Sequence, residues 1–174
     1  KVHKQDLREN ISMSYYVVVH EYFHIYQQAL SKLLRQSLSD YNPKWLVEGG
    51  ATVLGNIYTR QYYGKDTLKN DIRDRKRWKF KVVTKEPHLY EKHKTSPHKG
   101  YDSNYAGSSF MLLAFVNELK KNNISEEEAF ELVFREYWIQ RSKQPYDSKY
   151  WRVAFKNTFG MSVEDFYKKL SKYK

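Results

Sequence analysis

Between Ser12 and Ser37 the chain offers no Gly and no Pro, and Tyr16, His20, Phe23, His24 and Gln27 recur along it at helical spacing. This pattern constrains the fold more than any other, because it predicts one long helix. The Val17-Val18-Val19 run is strand-like inside it, but the helical pattern continues on both sides. Ser39-Asp40-Tyr41-Asn42-Pro43 then reads as a loop. Asn42 is placed to cap a second helix over Pro43–Tyr63, with Pro43 at its first position.

The rest of the chain divides by its punctuation. Gly64–Tyr101 is the least regular stretch, with Pro87, Pro97, Gly100 and many charges. It is expected to hold one short helix near Thr67–Trp78 and a short strand or extended edge at Lys79–Thr84. A helix follows over Asn104–Asn122, its apolar face formed by Phe110, Leu113, Val116 and Leu119. Ser125 and Glu128 form a capping box for Ser125–Arg141. Pro145 and Asp147 introduce a helix stopped by Gly160, and Ser162 with Asp165 starts a terminal one, Val163–Lys172. The predicted fold is mainly α, a single domain over residues 1–174.

Composition narrows the classes. Among 174 residues, 40% are hydrophobic and 17% aromatic, enough for a core, and this excludes disorder throughout. With no Cys there is no disulfide framework, thiolate nucleophile or Cys-based zinc site. No apolar run reaches 18 residues, so no transmembrane segment is expected. Lys1–Asn10 is polar and does not read as a signal peptide, and the missing initiator Met fits a mature product or an excised domain. Lack of Cys and a composition rich in Lys and Tyr suit a secreted or cell-surface bacterial protein, and equally a cytoplasmic one.

Net charge is +11, and most basic residues are scattered as on a solvated surface. Arg73–Lys81 is denser, with six basic residues interleaved with Trp78 and Phe80. Nucleic acid is therefore a conceivable but secondary partner.

His20-Glu21-Tyr22-Phe23-His24 carries the chemistry. Positions four apart on a helix differ by about 40° in azimuth and about 6 Å along the axis, so two imidazoles can converge on one ion. Glu21 can reach a water at that ion without being a ligand. Chance would produce H-E-x-x-H in roughly one shuffled sequence of this composition in 70. The second helix adds Glu48 within Trp45-Leu46-Val47-Glu48-Gly49-Gly50-Ala51. A catalytic zinc takes three protein ligands, His₂Glu among them, and two glycines and an alanine would let the helices approach closely. The same residues also fit core histidines satisfied by Tyr or backbone partners, with Glu48 a carboxylate near a helix start. His88, His93 and His98, five apart in the irregular region, form either an accessory cluster or solvated loop residues. Tyr22 and Tyr26 flank the motif and could line a cleft, but the preferred reading is that Tyr22, Phe23, Ile25 and Tyr26 pack the first helix.

With these motifs the sequence resembles the gluzincin zinc metallopeptidases. Within them it is most similar to the peptidase MA-like group, related to M1 aminopeptidases and bacterial collagenases. The motifs proper cover Val17–Ala51, and a looser likeness runs through Tyr105–Phe110 and Phe159–Phe166. The resemblance implies a zincin-like helical lobe and a zinc-dependent peptidase acting on a peptide or protein. His20, His24 and Glu48 would be the metal ligands, Glu21 the general base and Tyr105 the oxyanion donor, with Tyr101 as the spare candidate. The sequence departs from the family in four ways. Twenty-three residues separate His24 from Glu48, a longer spacing than usual. Thr52 stands where some relatives place a carboxylate. The Gly-rich exopeptidase motif is absent. Only about eleven residues precede the helix, so the sheet lobe usual upstream is expected to be absent or truncated. A catalytically weak zinc-binding protein is the alternative.

Overall fold

The computed structural model describes residues 4–33, 37–66, 80–92 and 103–173. Among these the chain is mainly helical, without strands. The helices are α1 (Lys4–Ser31), α2 (Leu38–Tyr41), α3 (Lys44–Tyr63), α4 (Phe80–Lys85), α5 (Ser103–Lys120), α6 (Glu126–Glu131), α7 (Tyr137–Arg141), α8 (Trp151–Phe159) and α9 (Val163–Leu170). Short 3₁₀ turns occupy Pro87–Glu91 and Ser148–Tyr150, and a π-helical turn, Leu132–Glu136, joins α6 to α7.

α3 lies at the centre, packed on one side against α1 and on the other against α5. Ten consecutive residues from Lys44 to Val53 are buried, more than an amphipathic surface helix allows. Its two glycines make this possible. A methyl group at Gly49 would meet the Ser108 carbonyl oxygen at 2.5 Å, and one at Gly50 would meet Phe23 Cε1 at 3.0 Å and Gln27 Nε2 at 3.4 Å. Gly49 thus admits the backbone of α5, and Gly50 admits side chains of α1.

The N-terminal turn of α3 is anchored by Trp45, which is fully buried. Its ring lies 5.9, 6.2 and 5.4 Å from those of Phe115, Phe155 and Phe166, within the range of favourable aromatic pairs. Its indole N–H donates to Tyr167 Oη at 3.0 Å, which donates to Glu91 at 3.0 Å, and Arg152 pairs with Glu91 through two contacts of 2.9 Å. Four segments therefore fix the turn that leads to Glu48.

The sequence-predicted punctuation holds at several ends. Ser125 and Glu128 exchange both bonds of a capping box, Ser162 accepts from the Asp165 N–H, and Gly160 closes α8 in the left-handed region. Other expectations are corrected. The extended edge expected at Lys79–Thr84 is helical from Phe80. α1 starts earlier and ends at Ser31, where Lys32 turns left-handed with φ 60°. Asn42 does not cap α3. Its amide N–H donates to Leu38 O at 3.0 Å and its oxygen accepts from Tyr137 Oη at 3.0 Å, so it closes α2 instead. Pro43 is the capping residue, its carbonyl accepting from Leu46 and Val47. On α5, Met111, Leu112 and Phe115 are fully buried beside Val116 and Leu119, while Phe110 and Leu113 are only partly so. The helix expected at Thr67–Trp78 lies outside the described residues. No described helix is long and apolar enough to cross a membrane.

Candidate metal centre

α1 crosses α3 so that Phe23 sits against Gly50, Tyr16 against Gly55, and the imidazoles between them meet Glu48. His20 and Glu48 are buried and His24 partly so. His20 Nε2 and His24 Nε2 are 3.1 Å apart, and each lies 3.4 Å from Glu48 Oε2. Donors held about 2.0–2.2 Å from a tetrahedral zinc stand about 3.3–3.6 Å from one another. The observed triangle is close to that face. Among the described residues this is the one group of three or more such side chains able to hold a metal ion.

Three electron-rich atoms face one another here. Glu48 Oε2 is buried, with no partner beyond the two rings, and His20 Nδ1 is buried without one. If both Nε2 atoms carry lone pairs, the arrangement is repulsive unless a cation or proton is shared. Burial pushes the Glu48 carboxyl up, but hydrogen bonding to His20 and His24 and their charge overcome it and hold it at about 2. Burial lowers the pKa of His24, yet Glu48, Gln27 and the charge of Glu21 leave it above the ordinary 6.5. An ionised carboxylate between two imidazoles is a set that could hold a divalent cation, and Glu48 contacts both rings besides lying near a helix start.

Glu21, next to His20, is exposed. Its charge acts on His24, so the group with no ligand atom in the triangle still stands beside it. Tyr105, on the first turns of α5, is exposed, with its ring 5.7 Å from that of His20. The Lys44 ammonium, on a residue itself buried, lies 5.9 Å from the Tyr105 ring centre. Tyr101 lies outside the described residues.

Gln27 and Lys44 are the neighbours that sequence reasoning missed as parts of the site. Gln27 is fully buried: its Oε1 is 2.8 Å from His24 Nδ1 and its Nε2 donates to Val47 O at 3.2 Å. Its spacing of three from His24 was the available signal.

Of the remaining candidates only His88 falls among the described residues, and it does not join the centre. His88 is exposed on the 3₁₀ turn, and His93, His98 and Arg73–Lys79 lie outside the described residues. Of the four residues expected to pack α1, only Phe23 is fully enclosed. Tyr22 and Ile25 are 69% and 59% exposed, because they point away from α3, and Tyr26 is at the margin. Comparison with protein-family models, curated proteins and solved structures finds no match to this chain. Its function has to be argued from the geometry above.

Proposed function

We propose that this chain is a zinc-dependent metallopeptidase of the gluzincin kind, hydrolysing peptide bonds in a peptide or protein substrate. The observation that carries the reading is the triangle of His20 Nε2, His24 Nε2 and Glu48 Oε2 with edges of 3.1, 3.4 and 3.4 Å. Two imidazoles and one carboxylate are the donor set of a catalytic zinc rather than a structural one, leaving a fourth position for water or substrate. Calcium and magnesium favour all-oxygen sites, which this is not. When bound, zinc supplies a Lewis acid and lowers the pKa of its water to about 7.

The chain's own residues have distinct tasks. His20, His24 and Glu48 hold the ion. Glu21 is exposed beside them and free of ligand duty, so it takes the proton of the attacking water and delivers it to the leaving amine. Tyr105, whose ring lies 5.7 Å from that of His20, is the candidate whose O–H donates to the oxygen that gains charge from the substrate carbonyl.

The test is zinc stoichiometry together with a peptide-library digest, with and without chelator. We expect one zinc per chain, chelator-sensitive cleavage, and a Glu21→Gln variant that keeps the zinc but loses cleavage by orders of magnitude, since an amide cannot accept the proton. Cleavage at full rate by the Glu21→Gln variant would remove Glu21 from this role. Stoichiometric zinc without cleavage of any peptide would leave a binding protein rather than a peptidase.

A further inference from the structure

Gln27 presents an amide with one acceptor end and one donor end, both engaged in a buried setting. The Val47 carbonyl can only accept, so the amide N–H₂ must face it, as the 3.2 Å contact has it. The opposite amide orientation would bring two carbonyl oxygens together. Gln27 Oε1 therefore faces His24 Nδ1, 2.8 Å away, and an oxygen of this kind can only accept. Nδ1 must then carry the hydrogen. In a neutral imidazole this leaves the lone pair on Nε2, the atom 3.4 Å from Glu48 Oε2 and 3.1 Å from His20 Nε2.

We infer that Gln27 is a positioning residue that selects the metal-ligating tautomer of His24 and ties that ring to the helix carrying Glu48. The second function follows from its other bond. Val47 immediately precedes Glu48, so one side chain spans from a ligand on α1 to the backbone beside the ligand on α3. Gly50 lies beside it: a methyl group there would stand 3.4 Å from Gln27 Nε2, an ordinary contact, and press at 3.0 Å on Phe23. Ser31 Oγ donates to the Gln27 carbonyl at 2.6 Å, which steadies the same turn of α1. Groups that hold the second nitrogen of a ligating histidine typically change metal affinity 10–100-fold when removed.

This inference rests on the metal-binding reading of His20, His24 and Glu48, and its test separates the two. The metal-free protein is examined at alkaline pH, where the imidazoles are neutral, by ¹⁵N-histidine NMR with His24 assigned by comparison with His24→Ala. Zinc affinity is measured by competition with a chromophoric chelator. Wild type is expected to show His24 protonated at Nδ1. Gln27→Met, of similar volume but without the amide, should lose that preference and bind zinc about 10–100-fold more weakly. Gln27→Glu keeps an acceptor able to face Nδ1 and should keep the tautomer, while it loses the donor to the Val47 carbonyl and with it the tie to α3. If Gln27→Met does not fold, Gln27→Glu carries the test. His24 protonated at Nε2 in wild type or in Gln27→Glu overturns the inference, as does Gln27→Met with unchanged tautomer or unchanged zinc affinity. The tautomer is read without metal, so a wild type with the Nδ1–H form that binds no zinc supports tautomer selection and refutes the zinc assignment alone.

Discussion

On the proposed peptidase reading, Tyr105 is where metal binding and catalysis can be told apart. Its ring packs edge-on against His20, and in the proposed role it is a hydrogen-bond donor and not one of the three ligands, so removing its hydroxyl should leave zinc affinity unchanged. Loss of one oxyanion donor typically costs about 10²–10³ in rate. Tyr105→Phe is therefore expected to lower kcat by about that factor with zinc stoichiometry intact, measured by peptide hydrolysis and metal titration. A loss below about threefold would move the role elsewhere, with Tyr101 next in line. A second residue tests acid stability. Burial raises the Glu118 carboxyl, but hydrogen bonds from Lys121 and Tyr173 and the charges of Lys121 and Lys169 outweigh it and hold its pKa below the ordinary 4.5. A lowered native pKa stabilises the fold fully above the unfolded value, and that contribution disappears as pH falls through the native value. Denaturant midpoints should therefore fall below about pH 4.5, and Glu118→Gln should flatten that acid limb. Residues of these two kinds differ in how readable they are. His20, Glu21 and His24 can be read from spacing because one helix fixes their geometry. Gln27 can be read only by half, since His24 is three positions away but Val47 twenty, and Glu118 cannot, because Tyr173 lies fifty-five positions from it.

At the scale of elements, α3 is where propensity and packing conflict. Gly in a helix interior costs about 1 kcal/mol against Ala, so replacing either glycine should stabilise α3 in isolation. In the folded chain the neighbours decide. At Gly49 the new methyl meets backbone, Ser108 O at 2.5 Å and C at 2.9 Å; at Gly50 it meets the Phe23 ring at 3.0 Å and the Gln27 amide at 3.4 Å. Backbone of a packed helix cannot yield as a side chain can. Gly49→Ala is expected to destabilise by about 1–3 kcal/mol, in the range of overpacked cores, and Gly50→Ala by less. Urea unfolding of the two variants gives the order directly, and a Gly49→Ala chain as stable as wild type would contradict the close α3–α5 contact. The sequence indicated that these small residues bring helices together, but not that each serves a different neighbour. Helix termini at Ser125, Gly160 and Ser162 were legible because the capping groups lie within three or four residues of what they cap. Lys79–Thr84 was misread because its β-branched residues suggested strand, and local propensity gives way when Val83 is buried in the core. The π-turn at Leu132–Glu136 leaves no local signature that spacing could reveal.

For the whole molecule, the candidate centre joins α1 to α3, while the main aromatic core lies on the other side of α3. Trp45, Phe115, Phe155 and Phe166 are enclosed without help from the site. Metal should therefore stabilise a chain that folds without it, unlike small domains that are unfolded until zinc arrives. An ion that binds only the native state adds RT ln(1 + [Zn]/Kd), about 2.7 kcal/mol at one hundred times Kd. For a chain of this size about 2–4 °C accompanies each kcal/mol, so the melting temperature should rise by about 5–10 °C between chelator and saturating zinc. Glu48→Ala removes the ligand from α3 and leaves both imidazoles on α1. It should melt cooperatively, with most of that difference abolished, because two ligands on one helix no longer bridge two elements. A Glu48→Ala chain with the full zinc-dependent rise would mean that the ion is held by α1 alone. A wild type that is unfolded in chelator would mean that the aromatic core cannot stand without the metal.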